Sequence, residues 1–394
     1  MEIYKKIIIL ILIVLFIYVG YRLLKKINCC SENRITREGL ENLNSTNEEV
    51  ELNSLKSNND VTINSIHKND INLPLSQYVI KGSYNSSVTG QYMNSEMIKY
   101  LLSRGCRFLD FEVFLIDGKP KVAYTNDSTY KTIQSKNSVL LDEVLSVIVS
   151  NAFSNISPNR LDPLFIHLRI KSSTKHNNHS YDYNNITKHT KQNDNKNNTK
   201  QNKNIMVEPI QRRDNNNIYK HVAKSLSIIK NSLYNKQVNR NTKLKDIMGK
   251  IIIIMDNTIN YNYKKYTSCY NNEQNCNDFK KYINSESGNG FINIERYSDI
   301  LKEKTSPPHI VNDINTDVKK IKLALPDYDI KHISNPKLQP FVTDYGFQIV
   351  TYRYYKKDAN LSECEEIFNE NKFGIVPLST MVKYFEKKKE EASN

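Results

Sequence analysis

Residues 73–90 read Leu73-Pro-Leu-Ser-Gln-Tyr-Val-Ile-Lys-Gly-Ser-Tyr-Asn-Ser-Ser-Val-Thr-Gly90. Within them Ser76-Gln-Tyr-Val-Ile80 is a short β-like run. The elements that follow alternate. Glu96-Met-Ile-Lys-Tyr-Leu-Leu102 has helical spacing, and Gly105 is placed to cap its end. Arg107-Phe-Leu-Asp-Phe-Glu-Val-Phe114 alternates polar and apolar residues, a strand signature. Asp117-Gly118 offers a turn into a further strand, Lys121-Val-Ala-Tyr124. Ser138 can cap a helix over 138–153, and Pro163-Leu-Phe-Ile-His-Leu-Arg-Ile170 is the next strand. Farther on, the pattern predicts a helix over 218–234 and strands at Lys250-Ile-Ile-Ile-Ile-Met255 and Phe347-Gln-Ile-Val-Thr-Tyr352. A helical stretch over 361–368 and Phe373-Gly-Ile-Val-Pro377 come last. Strands alternating with helices favour a parallel sheet, and 394 residues suit one α/β barrel with insertions. No internal repeat is visible.

Composition bounds the function classes. The chain has 56 basic and 42 acidic residues, a net charge of +14, with 11 Gly, 11 Pro and no Trp. Collagen-like and Pro-rich fibrous classes are excluded. Mean hydropathy is -0.59, so polar excess must sit outside a core. Six scattered cysteines (Cys29, Cys30, Cys106, Cys269, Cys276, Cys364) give neither a disulfide scaffold nor a C-x-x-C zinc site. The positive balance favours anionic partners, but it is spread along Lys/Asn tracts that read as solvated chain. The 25 tyrosines are not interleaved with basic residues in an RNA-binding pattern, so nucleic acid is not an expected partner. P-loop, nucleophile-elbow and H-E-x-x-H zinc motifs are absent.

The ends and interruptions set the organisation. Residues 7–21 read IIILILIVLFIYVGY, flanked by Lys5, Lys6, Lys25 and Lys26. With Leu23 and Leu24, about 18 residues can cross most of a ~30 Å hydrocarbon core. Arg22-Leu-Leu-Lys-Lys follows in place of a small-residue cleavage site, so an uncleaved single-pass anchor over 1–26 is expected rather than a signal peptide. Basic residues are denser after the run (Arg22, Lys25, Lys26, Arg34, Arg37) than before it, which weakly places the C-terminal part on the cytoplasmic side. Cys29 and Cys30 are juxtamembrane thiols, free or palmitoylated. Residues 27–72 read as a polar tether. Residues 173–217 read as an Asn/Lys-rich disordered insertion, whose His176, His179 and His189 lack metal-ligand spacing. The Asn/Lys/Ile bias suits an AT-rich genome such as that of a large DNA virus or a protist.

Taken together in order, these segments resemble the catalytic X region of phosphatidylinositol-specific phospholipase C. The family reads approximately L-P-L-S-Q-Y-F-I-x-S-S-H-N-T-Y-L-T-G where this chain has 73–90. Glu96-Met to Gly105-Cys-Arg-Phe-Leu-Asp-Phe-Glu112 is similar to its E-M…G-C-R-C-V-E-L-D. Lys121-Val-Ala-Tyr124 is similar to the strand before a catalytic His, and Pro163-Leu-Phe-Ile-His-Leu-Arg169 to P-V-I-L-S-L-E. The resemblance covers about 73–172, and a weaker likeness runs on through 249–256 and 346–374. It implies a distorted TIM-type (β/α)8 barrel of the phospholipase C-like phosphodiesterase kind. That barrel would span 73–390, with 73–172 as its X-like half and 218–390 as its second half. It further implies general acid–base chemistry by two histidines on a phosphoinositide lipid, assisted by Ca²⁺ in eukaryotic members.

Carried over by position, the reactive residues differ. The two catalytic histidines fall on Tyr84 and Thr125, neither of which is an effective base at neutral pH. Of the implied calcium ligands, Asn85 is kept, and Asp110 and Glu112 exchange side-chain length. The last ligand, a Glu, becomes Arg169. A permanent cation there should exclude Ca²⁺, and its fork can pair with Asp110 or Glu112 in the metal's place. Calcium is therefore expected to be lost, and no other cofactor is implied. His167 lies on the same strand face as Arg169, either as a buried core histidine or as a relocated catalytic one. Tyr84 either hydrogen-bonds a phosphate or plugs the emptied site. Asp127 reads as a turn residue. The expected function is a membrane-anchored, catalytically degenerate phospholipase C-like protein that binds phosphoinositide headgroups or a protein partner, leaning away from an enzyme. The alternatives are a divergent calcium-independent phosphodiesterase using Arg169, Asp110 and His167, and a structural membrane protein.

Overall fold

Apolar runs flanked by turns become strands of one sheet. In the computed structural model they are β1 Tyr78–Ser83, β2 Phe108–Ile116, β3 Lys119–Val122, β4 Val139–Leu140, β5 Leu164–Lys171 and β6 Ile251–Asp256. They continue as β7 Ser285–Ser287, β8 Ile292–Arg296, β9 Ile321–Leu325, β10 Ile349–Tyr352 and β11 Ile375–Pro377. The structure describes residues 46–56, 60–127, 130–171, 217–266, 278–288, 290–302, 320–327 and 334–393. Two units are distinguished, Met1–Val50 and Glu51–Asn394. Of the first, only residues 46–50 are described; they lie in helix Asn47–Leu55 or just before it. The barrel belongs to the second. The expected membrane anchor, Cys29, Cys30 and the loop histidines lie outside the described residues, as does all of the 173–217 insertion except Asn217. Among the described residues, no helix is long and apolar enough to cross a membrane.

The sheet order is β11-β1-β10-β9-β8-β7-β6-β5-β2-β3-β4, and β1 also pairs with β2. That last pairing closes eight parallel strands into a ring: β1, β2, β5, β6, β7, β8, β9 and β10. The closure is narrow. Only Gly82↔Phe108 and Ser83↔Leu109 join β1 to β2. Below them β11 runs antiparallel on β1, and beyond them the β3–β4 hairpin runs antiparallel on β2. The (β/α)8 expectation is met in this distorted form.

Strands of a closed barrel are buried on both faces, so their alternation separates interior from helix-facing side chains rather than core from solvent. All nine residues of β2 and all eight of β5 are buried. Leu109, Phe111 and Val113 of β2, with Ile166, Leu168 and Ile170 of β5, belong to the larger core shared with the helices. The opposite faces fill the barrel. Its lower interior is apolar: Ile80, Phe108, Phe165, Ile252, Ile254, Ile292, Leu323 and Ile349 cluster there. Asp110 and Glu112 of β2 and His167 and Arg169 of β5 lie above that plug, still fully buried. Sequence alternation in 107–114 thus reports a charged upper layer of the barrel.

Helix Met97–Ser103 follows β1, and Gly105 behind it has φ +77°, where a Cβ would come within 2.8 Å of Ile63. The predicted helix over 218–234 stops at Leu226 and passes into a 3₁₀ turn, with the Ser227 hydroxyl donating back to the Lys224 carbonyl (2.6 Å). Helix Ala359–Asn371 starts where Asp358 accepts from the Leu361 N–H (2.9 Å). The stretch read as a polar tether is partly packed. Leu52, Leu55, Ile63 and Ile66 are buried, the Asn64 N–H donates to the Lys372 carbonyl (2.7 Å), and the Ile66 N–H to Asp162 (3.0 Å). A few apolar residues at irregular spacing suffice to hold such a strap, and irregular spacing leaves no periodic signal.

Candidate functional site

β2 and β5 are adjacent and in register, with Asp110 opposite His167 and Glu112 opposite Arg169. Side chains two apart on a strand share a face, so all four project into the upper barrel. Asn85 stands just past the end of β1 with φ +46°, a left-handed conformation that asparagine tolerates better than most residues. Its N–H donates to Asp110 Oδ2 (3.1 Å) and fixes its side chain beside β2.

The Arg169 guanidinium is the centre of this arrangement. Nε donates to Asp110 Oδ1 (2.8 Å) and Nη2 to Asp110 Oδ2 (2.6 Å), a bidentate fork. Nη1 donates to Glu112 Oε1 (2.6 Å), and Nη2 also to Asn85 Oδ1 (2.7 Å). The Tyr84 ring covers the guanidinium with 4.5 Å between Cζ and the ring centroid. Every one of these residues is at most 2% exposed. Burial alone would push the Asp110 carboxyl up. The Arg169 charge and the hydrogen bonds from His167 and Arg169 outweigh it and hold that carboxyl well below the usual range. Burial would likewise weaken the Arg169 proton, and Asp110, Tyr84 and Glu112 reverse this and bind it more firmly. The Tyr84 hydroxyl is pushed up by burial, against the opposing pull of Arg169.

His167 has both ring nitrogens engaged. Nδ1 meets Asp110 Oδ1 at 2.8 Å and Nε2 meets Ser287 Oγ at 2.8 Å. Thr125 has its hydroxyl and its N–H committed: the N–H donates to Glu112 Oε2 (3.0 Å), the hydroxyl donates to the Thr132 carbonyl (2.6 Å) and accepts from the Asp127 N–H (2.9 Å). Asp127 accepts from the Lys131 and Thr132 N–H groups, which closes the turn. Tyr84, Asn85, Asp110, Glu112, His167 and Arg169 are therefore brought together, and Thr125 joins them through Glu112. Ser287 was not singled out from the sequence. Its strand β7 is three residues long, Ser-Glu-Ser, with no apolar run to reveal it.

A hard divalent cation needs several oxygen ligands that converge on one point. Here Asn85 Oδ1, both oxygens of Asp110 and Oε1 of Glu112 converge on the guanidinium, and Glu112 Oε2 accepts from Thr125. The residues present do not fit a calcium ion, because Arg169 stands at the point where it would sit. Among the described residues, no group of three or more His, Cys, Asp and Glu side chains is arranged to hold a metal.

Residues 71–213 match the family model "Phosphatidylinositol-specific phospholipase C, X domain". No curated protein matches the chain. Among similar solved structures, PLC21 of S. officinalis has a TM-score of 0.50 at 14% identity, covering 79% of this chain and 38% of that one. PLC21 of L. pealei has a TM-score of 0.49 at 13% identity, again over 79% and 38%. A calcium-dependent phosphoinositol-specific phospholipase C from Pseudomonas sp. has a TM-score of 0.43 at 11% identity over 79% of this chain and 97% of that one. The chain spans little more than a third of the length of either PLC21 protein, and at 14% identity the likeness to that of S. officinalis is one of fold. Residues 71–213, the stretch that the family model matches, carry β1 to β5 and every side chain of the Arg169 cluster except Ser287.

Proposed function

We propose that this protein is a phospholipase C-like barrel whose catalytic centre has been replaced by an ion-pair plug, and that it works by binding anionic phosphoinositide headgroups. One observation carries the reading: the Arg169 guanidinium consumes Asn85, Asp110 and Glu112 under the lid of Tyr84, with no exposed face. General acid–base catalysis needs a group that can gain and lose a proton within reach of substrate. The two positions where the family resemblance puts histidines hold Tyr84, whose hydroxyl is pushed away from neutral pH, and Thr125, whose hydroxyl is fixed in a turn. The net charge of +14 supports an anionic ligand, and the apolar run at 7–21 would hold the barrel at a membrane.

The test follows release of inositol phosphate from phosphatidylinositol vesicles by the full chain, with calcium and with chelator. Release is expected to equal that of vesicles alone in both. The triple variant Tyr84→His, Thr125→His, Arg169→Glu is expected to gain calcium binding, read as a calcium-dependent rise in Tm.

A second reading has one observation in its favour, the Asp110–His167–Ser287 chain with both hydrogen bonds at 2.8 Å, which has the geometry of a proton relay. A calcium-independent phosphodiesterase built on it would show chelator-insensitive release that disappears in His167→Ala. Such a result would overturn the plug reading.

A further inference from the structure

The loop after β1 carries a second arrangement of donors, which the Arg169 cluster does not use. Glu51 reaches it from helix Asn47–Leu55. Its Oε2 accepts from Thr89 Oγ1 (2.9 Å), the Gln91 N–H (3.0 Å) and the Tyr92 N–H (3.2 Å), and its Oε1 from the Gln91 N–H (3.2 Å). Gly90 is the floor of the cradle. A Cβ there would lie 3.0 Å from Glu51 Oε2 and 3.1 Å from its Cδ, so the carboxylate rests where a side chain would begin.

The loop is braced by contacts that do not involve Glu51. Val88 and Met93 form an antiparallel bridge, and the Thr89 N–H donates to the Tyr92 carbonyl (3.0 Å). Asn137 clamps Met93 from both sides, accepting from its N–H (2.6 Å) and donating to its carbonyl (2.9 Å). The Lys136 N–H donates to the Gln91 carbonyl (2.9 Å), and its ammonium stands over the Tyr92 ring at 5.2 Å. Two adjacent backbone N–H groups and a hydroxyl converging on one point, with a lysine on the same loop pair, are the donors that hold oxyanions. A phosphate group presents more oxygens and more charge to the same donors than a carboxylate does. The loop also touches the barrel mouth, since the Tyr124 hydroxyl donates to the Gly90 carbonyl (3.3 Å).

We propose that residues 89–92 form a phosphate-binding seat on the barrel rim, occupied by Glu51 as an internal competitor that a phosphomonoester or phosphodiester displaces. The seat is separate from the Arg169 plug, so it stands whether or not the barrel turns over lipid. An internal carboxylate held at the seat by the folded chain competes at a high effective concentration, which masks weak external anions.

Thermal unfolding of the full chain over a series of inorganic phosphate concentrations tests this. Glu51→Ala is expected to lower Tm without phosphate and to tighten the apparent phosphate affinity about tenfold or more over wild type. Adding Gly90→Ala to that variant puts a methyl group on the floor of the seat and should remove the response. Glu96→Ala deletes an exposed carboxylate paired with Lys99 and should respond as wild type does, which separates the seat from net charge. Glu51→Gln, which keeps an acceptor oxygen, serves if the alanine variant does not fold. A second arm follows hydrogen exchange of residues 88–95 in chain reconstituted into phosphatidylcholine vesicles with and without a phosphatidylinositol monophosphate. Protection gained only with the phosphorylated lipid assigns the seat to a lipid headgroup. A response to inorganic phosphate alone assigns it to a soluble phosphate. Equal responses in wild type and Glu51→Ala, a response that survives Gly90→Ala, or none in either arm would overturn the proposal.

Discussion

β2 and β5, with the residues just before them, place a buried arginine and a buried aspartate at each end of the barrel, and the two ends resolve the charges in opposite ways. At the upper end, Arg169 of β5 grips Asp110 of β2 with two hydrogen bonds and Glu112 with a third. At the lower end, Arg107 precedes β2 and Asp162 precedes β5. There the guanidinium spends its donors on the carbonyls of Ala152 and Asn159 and on the Ser157 hydroxyl. Among the described residues, Arg107 Nε and Asp162 Oδ2 have no hydrogen-bond partner. The titration of the groups follows. Burial outweighs every partner of Asp162 and raises its carboxyl to about 6, whereas the partners of Asp110 outweigh burial. Arg107 is lowered by burial to about 10, and Arg169 is raised. Burial and nearby opposite charge are common to both ends. What separates them is direct contact, which decides whether a buried carboxylate is stabilised as an anion or pushed toward its acid.

The largest effect expected from this contrast comes from Arg169→Met. It would strand two buried carboxylates and cost about 3–5 kcal/mol in denaturant unfolding at neutral pH. Without the guanidinium, burial of Asp110 loses its main opposing charge, so the variant should regain part of that loss as pH falls and the stranded carboxylate protonates. A loss that does not change with pH would show that packing, not charge, holds the upper end.

The lower end should give the opposite sign. A carboxyl raised to about 6 in the native state, against ~3.9 unfolded, binds its proton more tightly when folded. The contribution of Asp162 to stability is therefore fully present below pH ~4 and is lost as pH rises through about 6. Asp162→Asn should stabilise the protein by about 1–2 kcal/mol at pH 7 and change nothing below pH ~4, flattening the slope between. A destabilised Asp162→Asn at neutral pH would mean that the carboxylate is needed as a counter-charge to Arg107.

The smallest effect sharpens the role of the lid. Tyr84→Phe keeps the ring over Arg169 and should cost less than about 1 kcal/mol, whereas Tyr84→Leu removes the ring face and should cost about 1–2 kcal/mol more. Equal losses would assign the contribution of Tyr84 to its hydroxyl.

The parts of the barrel that read clearly in the sequence are those whose strands are long and apolar. β1, β2, β5, β6 and β10 all overlap the runs that spacing predicts, though the first four continue past the predicted ends, to Ser83, Ile116, Lys171 and Asp256. β7 to β9 do not, because three to five residues inside a closed sheet need no amphipathic pattern, and β7 places a serine rather than an apolar side chain in the barrel. The Arg169 cluster was legible because its members recur two apart on a strand and align with a recognisable motif. Ser287 and Glu51 were not, since each acts on residues far away in the chain through a single polar atom or group. Contacts of that kind leave no local trace in composition or period.

The narrow seam between β1 and β2 has a consequence for how the chain is made. β1 is the first barrel strand to emerge during synthesis, yet Ile80 pairs with Ile349 and again with Ile375, among the last strands to emerge. Its neighbour β2 offers it only two residue pairs. β1 therefore lacks partners for most of its backbone donors and acceptors until the chain through β10 and β11 has left the ribosome. The ring can close only after β10 has been made, and truncation before β11 would leave an open edge on β1 that invites association between nascent chains.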